Sequence, residues 1–108
     1  MVTKVDGKLL QKLNGKSLTE QTIQRSIINH LSNDGWLVFK TVKVTPNGFP
    51  DVMAFRRGET ILIEVKTPQG RTSAIQKEQH RRLREQGIPV LVATSISEVK
   101  SGLTLLNR

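Results

Sequence analysis

Asp51-Val52-Met53-Ala54-Phe55-Arg56-Arg57-Gly58-Glu59-Thr60-Ile61-Leu62-Ile63-Glu64-Val65-Lys66 is the stretch that decides how this chain is built. Residues 51–56 and 60–66 are both rich in β-forming side chains, and Arg57-Gly58-Glu59 is a tight connection between them. The pattern predicts an antiparallel hairpin. Side chains alternate between the faces of a strand. Ile61, Ile63 and Val65 therefore point one way, and Leu62, Glu64 and Lys66 the other. Strands covered on both faces rarely give two positions to charge, because burying a charge is costly unless it is paired. Glu64 and Lys66 are thus candidates for chemistry. Asp51 opens the partner strand. Neighbouring strands lie about 4.8 Å apart, so Asp51 and Glu64 can meet across the sheet.

Two carboxylates at that separation repel, and each raises the other's pKa unless a cation lies between them. Mg²⁺ suits such a pair. It takes oxygen ligands and is often held by one or two carboxylates plus substrate phosphates. A bound metal activates water and stabilises charge on phosphate. Lys66 would then position the attacking water and help neutralise the transition state. An ordinary cross-strand salt bridge on an exposed face is the plainer alternative. An E-x-K triplet alone is weak evidence for function, but an Asp at the start of the adjacent strand strengthens it.

The elements on either side fit an α/β domain. Ser17-Leu18-Thr19-Glu20 has the pattern of a capping box, and a helix is expected to follow to about Asn33. Its apolar face is Ile23, Ile27, Ile28 and Leu31, which puts Glu20 on or beside the buried side. Glu20 could therefore add a third carboxylate, or serve only as a cap and dipole partner facing water. Trp36 to Val44 reads as a strand, and Thr45-Pro46-Asn47-Gly48 as a turn. Ser73-Ala74-Ile75-Gln76 is a second capping-box pattern, opening a helix to about Gln86 that Gly87 closes. Pro89 to Thr94 is a continuous apolar strand, expected at the centre of the sheet. Ser95 to Glu98 caps a last short helix through Leu103. The expected order is α-β-β-β-α-β-α, a mixed β-sheet flanked by helices.

Residues 1–16 form a basic arm of undetermined shape. Lys4, Lys8, Lys12 and Lys16 recur in it, interrupted by Gly7, Asn14 and Gly15. Residues 17–108 are expected to be one domain. A chain of 108 residues can bury one core without disulfides or a structural metal. It has no cysteine, which excludes a disulfide framework, a thiolate zinc site and a cysteine nucleophile. No apolar run approaches the roughly 20 residues of a membrane span, and no signal peptide is evident at the N-terminus. A cytoplasmic protein with no membrane partner is the expectation.

The formal charge is +8, from 17 Lys and Arg against 9 Asp and Glu. Clustered basic residues release counterions from a phosphate backbone, which points to a nucleic-acid partner over a merely solvated surface. Arg71, Lys77, Arg81, Arg82 and Arg84 are the densest cluster, and Lys40, Lys43, Arg56 and Arg57 lie near the first strands. Arg81 can also pair with Glu78, and Arg82 with Glu78 or Glu85. His30 and His80 lack a second His or Cys at ligand spacing, which argues against zinc. His80 follows Gln76 by one helical turn but reads as a partly exposed surface residue. Trp36 and Phe39 read as core.

Gly48-Phe49-Pro50-Asp51 followed by Glu64-Val65-Lys66 resembles the PD-(D/E)XK nuclease superfamily and, within it, the VRR-NUC (virus-type replication-repair nuclease) branch. That branch has a helix carrying a Glu, a G-x-P-D turn, an E-x-K strand and a Gln early in the next helix. Glu20, Gly48, Pro50, Asp51, Glu64, Lys66 and Gln76 occupy those positions in order. The resemblance implies a restriction-endonuclease-like fold and Mg²⁺ or Mn²⁺ as cofactor. It implies Asp51, Glu64, the Val65 carbonyl and Glu20 as metal-site groups, Lys66 as the catalytic lysine and Gln76 as a site-orienting residue. It also implies similarity to standalone phage or bacterial members, which act as homodimers on branched DNA such as four-way Holliday junctions, whereas members fused to larger chains act on flaps. Two other functions compete with a nuclease: a non-catalytic DNA-binding module, and a subunit of a larger DNA-processing complex.

Overall fold

The computed structural model describes residues 19–106. Helix α1 (Glu20–Asn33) is followed by strands β1 (Leu37–Lys40), β2 (Val52–Arg56) and β3 (Glu59–Val65). Helix α2 (Ala74–Glu85), strand β4 (Val90–Ala93) and helix α3 (Ile96–Leu106) complete the order. This is the expected α-β-β-β-α-β-α succession. The basic arm and Ser17 of the first capping pattern lie outside the described residues. Thr19 is the N-cap of α1, with its hydroxyl accepting from the Thr22 amide at 3.1 Å. A hydroxyl at this position satisfies an amide that the first helical turn leaves free.

The four strands form one sheet in the order β1-β2-β3-β4. β1/β2 and β2/β3 are antiparallel, and β3/β4 is parallel. The β2–β3 hairpin forms as its sequence predicts. Arg57 and Gly58 have φ of 50° and 82°, and Arg56 pairs with Glu59 around them. Positive φ at both central residues marks the turn type whose twist matches that of the flanking strands. β4 was expected at the centre but lies at the sheet edge, beside β3 alone. Apolarity reports how well a strand is covered, and β4 is covered without a second neighbour. Val90 and Ala93 are buried, α2 and α3 both contact the strand, and Val92 is left exposed. The first strand is also shorter than expected, and Phe39, read as core, is 51% exposed on this other edge.

The faces of the sheet differ in what covers them. Ile61, Ile63 and Val65 of β3 join Val52, Ala54 and Ala93 in the main core. Ile23, Ile27 and Leu31 of α1 and Val99 of α3 pack against them. This is the apolar stripe read from the α1 sequence, pressed against the apolar side of the strands. The opposite side of β3 carries Leu62 and Glu64, both buried, and it lies against α2. Arg56 ties the end of β2 to the end of α1. Its guanidinium donates to the Asp34 carbonyl at 3.0 Å and stacks over the Trp36 ring at 4.4 Å from the centroid. Trp36 itself is core, as expected.

Candidate active site

The site is built where β2 and β3 face the first turns of α2. Val52 pairs with Ile63, so the antiparallel register brings the preceding Asp51 beside Glu64. Asp51 Oδ2 accepts from the Val65 amide at 2.8 Å, which fixes the carboxylate against β3. The loop before Asp51 is anchored from both sides. The Thr41 hydroxyl donates to the Pro50 carbonyl at 2.7 Å, and the Thr41 amide donates to the Asp51 carbonyl at 2.8 Å. Gly48 has a φ of +100°, and a Cβ there would come within 2.8 Å of the Ile75 carbonyl and 2.9 Å of Gln79. Only glycine combines that conformation with so close an approach. It seats the Asp51 loop on α2.

Gln76 joins the structural and chemical parts of the site. Ser73 caps α2 by accepting from the Gln76 amide at 3.1 Å, and Gln76 Oε1 accepts from the Ser73 amide at 2.9 Å, a complete capping box. The same Oε1 accepts from Lys66 Nζ at 2.9 Å. Gln76 Nε2 donates to Glu64 Oε2 at 2.9 Å. The two roles open to Gln76 in the sequence, cap and orienting residue, are met by one side chain. Lys66 Nζ also lies 3.4 Å from Glu64 Oε2. An ammonium has three protons, so Lys66 retains capacity to hold a water or a phosphate oxygen.

Glu64 is 1% exposed. Burial pushes its pKa up to about 7, with the charge and hydrogen bonding of Asp51 adding to the rise and Lys66 opposing it. A carboxylate that close to neutrality beside a second carboxylate is a site short of positive charge. His80 completes the surroundings. It is 2% exposed, which corrects the reading of it as a surface residue. Its Nε2 is 3.6 Å from Glu64 Oε1, and neither atom has a hydrogen-bond partner among the described residues. Burial lowers the His80 pKa, helped by the charges of Arg84 and Lys66 and opposed by Asp51. The signal available in the sequence was its position one turn after Gln76, on the same helix face.

The structure does not bring Glu20 to this site. No group of three or more His, Cys, Asp or Glu side chains that could hold a metal occurs among the described residues. Glu20 is the first residue of α1 and is exposed, not on the buried side. The turn where it stands precedes the packed stripe, and a carboxylate there is favoured by the helix dipole.

The basic residues divide. Arg84 donates to the Val90 carbonyl at 2.8 Å and so ties α2 to β4. Arg81 is paired with both Glu78 and Glu85, while Arg82, which was given the same partners, has no ion pair among the described residues. Arg56 is engaged with Asp34 and Trp36 as described above. Arg71, Lys77, Arg82, Lys40 and Lys43 are exposed. They form no ion pair among the described residues.

Comparison with known proteins gives the family and the fold. The VRR-NUC domain model matches residues 5–96, most of the chain, and the match begins within the basic arm. The chain belongs to the VRR-NUC family. Two solved structures share its fold. One, described as a VRR_NUC domain, superposes with a TM-score of 0.70 at 26% identity, covering 79% of this chain and 94% of that one. Another, described as a VRR_NUC domain protein, has a TM-score of 0.68 at 22% identity, covering 82% and 87%. No curated protein matches. The mixed four-stranded sheet with three helices seen among the described residues is thus the VRR-NUC fold, and the chain is a nuclease-type DNA-processing domain. Among the described residues no helix is long and apolar enough to cross a membrane.

Proposed function

We propose that this VRR-NUC chain is a Mg²⁺- or Mn²⁺-dependent endonuclease that hydrolyses phosphodiester bonds in structured DNA. The observation that carries the reading is the hydrogen-bonded group of Asp51, Glu64, Lys66 and Gln76 on one face of β3. A salt bridge for stability alone would not need a second carboxylate beside Glu64, nor a glutamine bridging the acid and the lysine.

The residues fit a hard divalent cation. Asp51 and Glu64 supply oxygen donors, and Glu64 Oε1 is a buried acceptor with no hydrogen-bond partner among the described residues. Mg²⁺ is commonly held by one or two carboxylates, with water and substrate phosphate completing its shell. Asp51, Glu64 and the Val65 carbonyl would hold it. When bound, the cation would lower the pKa of a coordinated water and neutralise charge on the phosphate.

The protein's own groups do the remaining work. Gln76 holds the Lys66 ammonium through Oε1 and the Glu64 carboxylate through Nε2, with the ammonium 3.4 Å from Glu64 Oε2. Lys66 is thereby aimed to orient water and to offset charge developing on the phosphate, without reorganising during the reaction. Asp51 is held by the Val65 amide, which leaves its second oxygen for the cation. Arg71, Lys77, Arg82, Lys40 and Lys43 supply exposed positive charge for the DNA backbone. Such contacts position a duplex without reading its sequence. A preference for branched over linear DNA, and action as a homodimer, are part of the proposal and rest on the motif resemblance alone.

Cleavage of a four-way junction, a flap and a linear duplex, each with Mg²⁺, Mn²⁺ or chelator, tests the reading. Metal-dependent cuts at the junction or flap are expected. Lys66→Ala should lose roughly 10²–10³-fold in rate, the usual cost of removing a group that stabilises transition-state charge. Asp51→Ala should abolish cleavage. Full activity in either variant overturns the assigned roles. Binding to junctions without cleavage in any divalent metal would identify a DNA-binding module instead.

A further inference from the structure

We propose that His80 is a positioning residue for Glu64, fixing its second carboxylate oxygen, Oε1, through the imidazole Nε2–H. This rests on the reading of Glu64 as a metal ligand.

His80 and Gln76 stand one turn apart on the same face of α2, and each faces a different oxygen of the same carboxylate. Gln76 Nε2 donates to Oε2 at 2.9 Å. His80 Nε2 lies 3.6 Å from Oε1, and both of those atoms are buried without a hydrogen-bond partner among the described residues. A buried polar atom left unpaired costs about 1–3 kcal/mol. Closing the 3.6 Å gap by about 0.6–0.7 Å, to the usual ~2.9–3.0 Å, satisfies two such atoms at once. Arg84, in the following turn, holds α2 against β4 by its bond to the Val90 carbonyl. That tie keeps the His80 turn pressed onto the sheet.

With donors on both oxygens the plane of the carboxylate is fixed. An ionised carboxylate has about four acceptor positions, so a cation can still bind to those that Gln76 and His80 leave open. Groups that orient a metal ligand in this way typically contribute 10–100-fold in metal affinity or activity.

Two readouts test the proposal without relying on turnover. In the metal-free protein, nitrogen-15 correlation spectra of the His80 imidazole should show the proton on Nε2. A proton on Nδ1 with Nε2 bare overturns the contact. Mn²⁺ is then titrated calorimetrically into wild type, His80→Leu, which has no donor, and His80→Gln, whose amide nitrogen reaches the Nε2 position. His80→Leu should bind about 10–100-fold more weakly, and His80→Gln should stay within a few-fold of wild type. Equal affinity in wild type and His80→Leu overturns the proposal. Should circular dichroism show His80→Leu unfolded, His80→Asn takes its place: it stays polar but withdraws the donor, and affinity equal to wild type again overturns the proposal. A wild type that binds no Mn²⁺ refutes the metal reading, and the position of the imidazole proton still judges the His80–Glu64 contact by itself.

Discussion

The two faces of β3 are made of the same strand and do opposite things. On one, Ile61, Ile63 and Val65 meet the apolar side chains of α1 and α3 in the main core. On the other, Leu62 is followed by a buried carboxylate, a lysine, and the glutamine and histidine that α2 brings to them. The first face holds the chain together, and the second spends part of that stability to keep charge out of water. Alternation along a strand lets both lie within one residue of each other. Stability and chemistry should therefore respond to different substitutions, although they are covalent neighbours.

The largest effect that would break this division is on the core face. Ile63 is fully buried. Ile63→Ala should cost about 2–5 kcal/mol in urea unfolding, while the fraction that remains folded keeps its Mn²⁺ affinity. A large change in that affinity would show that the faces are not separable.

A smaller effect should come from the other face, through pH. The folded pKa of Glu64, about 7, lies above its ordinary value of 4.5. Between these values the folded protein keeps a proton that the unfolded chain releases. Stability of the metal-free protein should therefore be greatest below about pH 4.5 as far as this group is concerned, and fall as pH rises to about 7. The total is at most roughly 3–4 kcal/mol, at about 1.4 kcal/mol per unit. Glu64→Gln, which stays neutral, should remove this slope and be more stable than wild type at neutral pH without metal. Urea titrations of both proteins from pH 4.5 to 8 measure it, and an identical slope in the variant would show that Glu64 is not the source.

The smallest effect sharpens the comparison at the surface. Lys77 is exposed on α2, outside the Glu64 cluster. Lys77→Ala should weaken DNA binding by about the same factor for all sequences and reduce the salt dependence by about one ion. Measured by anisotropy across salt concentrations, an unchanged slope would remove Lys77 from the interface.

Much of the site face could be read in advance because it depends on local rules. Strand alternation paired Glu64 with Lys66, the tight connection at Arg57-Gly58-Glu59 placed Asp51 beside them, and the Ser73 pattern put Gln76 in the first turn of α2. What escaped depends on packing between distant elements. The face of α2 that meets the sheet carries polar side chains, so His80 gave no apolar signal although it is almost fully buried. Glu20 fell near the apolar stripe of α1 by spacing, yet the stripe becomes buried only after the first turn. The sequence of β4 reported its coverage but not its number of neighbours, and Arg84 and Arg81 looked like phosphate ligands until the structure gave them the Val90 carbonyl and two glutamates.

The double role of Gln76 has a consequence for motion. Helix ends open and close more readily than helix centres, with free energies well below that of global unfolding. Here the capping amide of α2 and the clasp on Lys66 and Glu64 are the same side chain. Each time the first turn of α2 frays, the acid and the lysine are released together, and each time it closes they are reassembled. The exchange rate of the Gln76 and Lys77 amide hydrogens is therefore a clock for how often the centre is intact, and a DNA strand lying across this turn would slow it.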